Sequence, residues 1–147
     1  MNKKACYFSL FSSIILLLSV LVSCNQKIHY WEFKQDLSNV TEICIIETTY
    51  TNTGTDKDIV LKTFNESEYE DIINKIKDLE MTSYLNLKTP SRIAIKISFS
   101  NGEYDRISRV EPQHYLYDEK EKKVLAMNSH LCCNEDQFNA LIDSLLQ

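Results

Sequence analysis

The chain has 147 residues, 44% of them apolar, with two glycines and two prolines, a make-up that allows one globular domain and leaves little room for a second. Gly54 and Gly102 cannot build a GxGxxG dinucleotide turn or a GxxxxGK(S/T) phosphate cradle, each of which needs several closely spaced backbone approaches to phosphate. Lys and Arg number 16 against 21 Asp and Glu, for a net charge of -5, and no basic patch interleaves with aromatics, so neither a nucleotide nor a nucleic acid is an expected partner.

Lys3 and Lys4 precede an apolar stretch over residues 7–22, and Ser23 and Cys24 follow it, which is the pattern of a secretion signal. The stretch is 16 residues long and holds four serines, short of the ~20 apolar residues of a spanning helix, so a cleaved signal is expected rather than a permanent span. Leu21-Val22-Ser23-Cys24 resembles the lipobox of bacterial lipoproteins. The resemblance implies a diacylglyceryl group in thioether linkage to the Cys24 sulfur, cleavage after Ser23, and a lipid-anchored protein at the cell membrane facing the extracytoplasmic side. It divides the chain into a signal peptide (1–23), a lipidated cysteine with a short tether (24–27) and one domain (28–147). The mature chain then has 124 residues and a net charge of -7, since Lys3 and Lys4 are the only charges removed. A three-residue tether reaches at most about 10 Å, and an acidic domain is not drawn to an anionic leaflet, so the lipid itself is the expected membrane contact.

Residues 28–34 (IHYWEFK) read as a short aromatic strand, ended by polar turn formers at 35–39. Trp31 is read as a core or rim residue of that strand rather than a ligand-stacking platform. Residues 42–50 read as a strand covered on both faces, with Cys44 buried, because Ile43 to Ile46 are consecutive apolar residues. A loop at 51–57 holds Gly54, and residues 59–64 form the hairpin partner. Ser67-Glu68-Tyr69-Glu70 has the form of a capping box, and apolar residues at 69, 72, 73, 76 and 79 give an amphipathic helix over 67–79 with a solvated charged face.

A short strand at 81–87 and a break at Pro90 precede residues 92–100, which alternate with Ile93, Ile95, Ile97 and Phe99 on one face. Asn101-Gly102 predicts a two-residue type I′ hairpin turn that pairs Phe99 with Tyr104 on the core face. Ile107 then has the wrong parity, so a β-bulge near Asp105-Arg106 is expected to restore it. Strands at 114–117 and 123–127 flank a charged turn, with Tyr115 and Tyr117 on one face as rim residues or a ligand platform. Asn134 begins a second helix with an apolar stripe of Phe138, Leu141, Ile142, Leu145 and Leu146. The element order predicts a single α+β domain: a mainly antiparallel sheet of about six to eight strands with two amphipathic helices on one face.

With Cys6 removed and Cys24 lipidated, Cys44, Cys132 and Cys133 remain, an odd number on the oxidising side of a membrane. They read as buried free thiols, or as one disulfide between Cys44 and either neighbour, a choice that needs Cα atoms within about 7 Å. His130, Cys132 and Cys133 form a weak metal candidate, lacking a second ligand pair to complete four-coordination, and no cofactor is expected. There is no GxSxG, HExxH or SxxK motif. Beyond the lipobox, three segments resemble small uncharacterised lipoproteins of low-GC Gram-positive bacteria: Phe33-Lys34-Gln35, the hairpin from Ala94 to Gly102, and Cys133 with its acidic followers and the Phe138-Asn139-Ala140-Leu141 helix. That resemblance implies a domain of unknown function and carries over no catalytic residues. The expected function is a non-enzymatic binding or interaction module with an extracytoplasmic partner or ligand. The alternative is an extracytoplasmic hydrolase or a metal or redox accessory protein.

Overall fold

The computed structural model describes residues 27–49, 57–83 and 91–147. The expected signal peptide, Cys24, the expected loop with Gly54 and the break at Pro90 lie outside these residues. The elements are β1 (Val40–Thr49), β2 (Lys57–Thr63), α1 (Glu66–Lys77), β3 (Met81–Ser83), β4 (Ile93–Phe99), β5 (Tyr104–Ser108), β6 (Gln113–Asp118), β7 (Lys123–Asn128), β8 (Leu131–Cys133) and α2 (Glu135–Leu146). Six strands form one antiparallel sheet in the order β2-β1-β4-β5-β6-β7, and β3 pairs with β8 in a second, two-stranded sheet. The α+β architecture is the one expected from the sequence.

Alternation along the strands sorts the sheet into two unlike faces. Ile43 and Ile45 of β1, Ile95, Ile97 and Phe99 of β4 and Ile107 of β5 share one cluster with Ile72, Ile73 and Ile76 of α1 and Phe138, Leu141, Ile142 and Leu145 of α2. Both helices therefore pack on the same face. Each fully buried isoleucine contributes about 1.5–3 kcal/mol, so this layer dominates the stability. On the opposite face, Cys44, Ile46 and Ala94 form a smaller buried cluster, which is why β1 is apolar at four consecutive positions.

Helix α1 starts earlier than the Ser67 box predicts. The chain leaves β2 at buried Phe64, and Asn65 caps the helix at once: the Glu68 carboxylate accepts from the Asn65 backbone N–H at 2.8 Å and from Asn65 Nδ2 at 3.1 Å. Helix α2 is capped as expected, Asn134 Oδ1 accepting from Gln137 N at 3.2 Å, although Leu146 stays exposed. The segment 28–34 is not a strand. It makes a single bridge, His29 with Met81, through two 2.8 Å backbone bonds, and otherwise uses its alternation to bury Trp31 and half-bury Phe33. A 3-10 turn at Leu37–Asn39 follows, with Asp36 accepting from Ser38 N at 3.0 Å.

Strand β2 pairs with β1 as expected, but its register slips. Ile45 faces Lys62 and Ile46 faces Val60, so Leu61 is an extra residue bulged out of an edge strand. Ile59, Val60 and Leu61 are 45%, 57% and 43% exposed. Lys62 turns toward the helices, where its ammonium donates to Leu145 O at 2.6 Å near the end of α2.

Candidate functional site

The site is assembled by the β4–β5 turn, and its length differs from the predicted one. Phe99 N donates to Glu103 O at 2.9 Å and Gly102 N to Phe99 O at 3.0 Å, which makes Ser100-Asn101-Gly102 a three-residue loop with Gly102 in the left-handed region at φ +84°. Asn101 Oδ1 accepts from Glu103 N at 3.1 Å and holds the exit of the turn. One extra loop residue reverses the parity of everything after it. Ile97 therefore faces Asp105 and Ile95 faces Ile107 with no bulge between them, and Tyr104 moves to the opposite face of the sheet. The structure corrects both the two-residue turn and the bulge at Asp105-Arg106.

Asp105 is thereby delivered, fully buried, to the helix-covered face of the sheet. The β5–β6 register sets His114 directly opposite it. His114 Nδ1 lies 2.7 Å from Asp105 Oδ1, and Trp31 Nε1 donates to Asp105 Oδ2 at 3.2 Å. The indole also stacks on the imidazole, with ring centroids 4.2 Å apart and planes inclined by 26°. An ionised carboxylate only accepts hydrogen bonds, so Asp105 assigns the Nδ1 position a proton and orients the ring from behind.

His114 is 6% exposed and makes its one polar contact through Nδ1. Every buried side-chain nitrogen and oxygen among the described residues has a hydrogen-bond partner, so the unbonded Nε2 is the atom that reaches solvent. It does so at a cavity of about 290 Å³ bordered by His114, Lys34, Met127, Asn128, Ser129 and Leu131. The register explains the grouping: His114 faces Met127 across β6 and β7, and Ser129 N donates to Pro112 O at 3.3 Å just beyond the pair.

A carboxylate-backed imidazole facing a cavity can hydrogen-bond a ligand, hold a metal ion or act as a general base. No group of three or more His, Cys, Asp or Glu side chains among the described residues is arranged to hold a metal ion. Ser129 lies in the same wall, but its Oγ accepts from Leu131 N at 3.3 Å and makes no hydrogen bond to His114. Ser129 Oγ and the His114 imidazole are therefore not joined as a nucleophile–base pair in this structure.

The residues singled out in the sequence fall elsewhere. Cys44, Cys132 and Cys133 are free, buried thiols. Cys44 belongs to the small cluster on the far face of the sheet and Cys133 to the main core, so the sheet stands between them. Burial pushes the Cys133 thiol up to about 12, with neighbouring Cys132 adding to the shift, and Cys133 Sγ donates to Ser108 O at 3.4 Å. Burial also raises Cys44 and Cys132. His130 is exposed, with φ +55°, in the connection that leads into β8, and the structure does not gather it with the two cysteines into a metal cluster. Tyr115 stacks on Tyr104 at 4.1 Å on the far face, with Lys96 Nζ 4.7 Å from the Tyr104 ring, while Tyr117 stays exposed. Trp31 is buried, as the sequence predicts, and beyond that it clamps the Asp105–His114 pair, a contact that no local sequence signal marks. Cys24 lies outside the described residues. No protein-family model, no curated protein and no solved structure matches this chain.

Proposed function

We propose that this protein is a lipid-anchored extracytoplasmic binding module, tethered through Cys24, whose site is the cavity in front of His114. The secretion-signal pattern and Leu21-Val22-Ser23-Cys24 support the anchor. One observation carries the binding role: a buried imidazole, oriented by a buried carboxylate and an indole, leaves a single nitrogen open to a cavity. Burying an Asp and a His at that position costs desolvation that an apolar pair would not, and a ligand contact gives the arrangement a purpose. The cavity sits at the lower limit of small-molecule sites in volume, which suits a ligand of few atoms or one end of a larger one.

Two measurements test the reading. Metabolic labelling with a clickable fatty acid marks the wild type and not Cys24→Ser; equal labelling of both removes the anchor. Fragment screening by NMR on the full chain in neutral detergent perturbs the Trp31 indole N–H signal without consuming the fragment. A library in which no compound moves that signal refutes the binding site.

A further inference from the structure

We infer that the domain docks on the bilayer surface through Ile28, Tyr30 and Met127, which sets the cavity in front of His114 against the lipid; this rests on the anchor reading of Cys24. The three side chains are 50%, 53% and 53% exposed, and Tyr30 and Met127 border that same cavity. The segment carrying Ile28 and Tyr30 is fastened to the domain at two points. His29 exchanges two 2.8 Å backbone bonds with Met81, and Trp31 is buried with its indole on Asp105. Alternation then turns Ile28, Tyr30, Glu32 and Lys34 outward in one row, all four exposed, while Trp31 and Phe33 turn inward. The row is apolar at the end nearest Cys24 and charged at the far end. That is the order of a chain passing from a bilayer into water, with tyrosine at the level of the headgroups.

The length of chain between anchor and domain makes a lipid surface the occupant. Ile28 lies four residues from Cys24, so even at full extension its Cα stays within about 14 Å of the acylated cysteine. The headgroup layer on each side of a bilayer is about 5–7 Å thick, so Ile28 cannot move far from it. Ile59, Val60 and Leu61, also exposed, sit on β2 at the opposite edge of the sheet from β7 and Met127, and the tether does not hold them near the lipid. The contact is apolar rather than electrostatic, because the mature chain is acidic and gains nothing from an anionic leaflet.

The full chain is purified in detergent from the membranes of expressing bacteria and reconstituted into phosphatidylcholine vesicles, with or without phosphatidylcholine that carries a nitroxide high on its acyl chain. Trp31 is the only tryptophan and directly follows Tyr30, so quenching of its emission reports how closely this row approaches the lipid. Nitroxide lipid is expected to quench wild-type Trp31, and high salt to leave the quenching unchanged. The double variant Ile28→Ser, Tyr30→Ser should lose most of it while floating with the vesicles as fully as wild type. Met127→Ser, outside the tethered segment, should lose part of it, and Ile59→Ser on β2 none. Wild type that floats without being quenched overturns the docking and leaves the anchor standing. So does quenching that is equal in wild type, the double variant and Met127→Ser. Wild type that fails to float overturns the anchor and the docking with it. A stable dimer in detergent that Tyr30→Ser dissociates gives the surface to a second copy of this chain and overturns the bilayer contact.

Discussion

Replacing Asp105 by alanine tests the site at its buried centre. The carboxylate is fully buried and accepts two hydrogen bonds, 3.2 Å from Trp31 Nε1 and 2.7 Å from His114 Nδ1. Removing it leaves two donors without an acceptor, each costing about 1–3 kcal/mol. Domains of this size are stable by about 5–15 kcal/mol, so Asp105→Ala should remove a large fraction of the folding free energy. Asp105→Asn should fall between, since its one amide oxygen can satisfy only one of the two donors. The assay is urea unfolding followed by circular dichroism, with His114→Phe and the double variant completing a cycle. The double variant should lose less than the sum of the singles, because His114→Phe removes the donor that Asp105→Ala strands. A loss below about 1 kcal/mol for Asp105→Ala, or strict additivity, would refute the idea that these side chains act as one buried unit.

Gly102→Val should lower the thermal midpoint although a β-carbon there meets no atom within 4 Å: the cost is the positive φ, about 1–2 kcal/mol or more for a β-branched residue. Cys133 should make stability fall as pH rises. Its folded value of about 12 lies above the ordinary thiol range, so between about pH 9 and 12 the unfolded chain binds fewer protons and unfolding gains ground. Burial also lifts Tyr104 to about 12, so the Cys133 share is read as the difference between wild type and Cys133→Ala, and identical slopes above pH 9 would count against it. In native protein Cys44 and Cys133 should resist iodoacetamide, and both should react in urea.

The periodic elements were readable from the chain because their signals are local. Four consecutive apolar residues announced β1, spacing of three and four announced α1 and α2, and strict alternation announced β4. The site was not readable, and one residue of loop length explains why. Asn-Gly fits a two-residue turn, but Ser100 is drawn into the loop and puts Gly102 in the third position, where a left-handed residue is required. Under the two-residue pairing Tyr104 points inward and Asp105 looks like a surface carboxylate. The expected bulge was a response to the misplaced Ile107, and that misfit was the signal: a single change of loop length repairs the parity of Ile107 and buries Asp105 at once. Trp31 and His114, separated by 74 and 9 residues from the carboxylate they hold in common, meet it only through tertiary packing. Segment 28–34 failed as a strand because aromatic alternation describes any half-buried extended chain, whether or not a neighbour completes the ladder.

The bulge at Leu61 bears on how these molecules behave when crowded. A flat edge strand with three exposed aliphatic residues is a template on which a second chain can lay down its own backbone. The extra residue turns Lys62 onto the helix side and breaks the even spacing of free N–H and C=O groups that an incoming strand must match. The bulge thus makes exposed Ile59, Val60 and Leu61 a poorer template, and straightening this edge by deleting Leu61 should raise the tendency to aggregate.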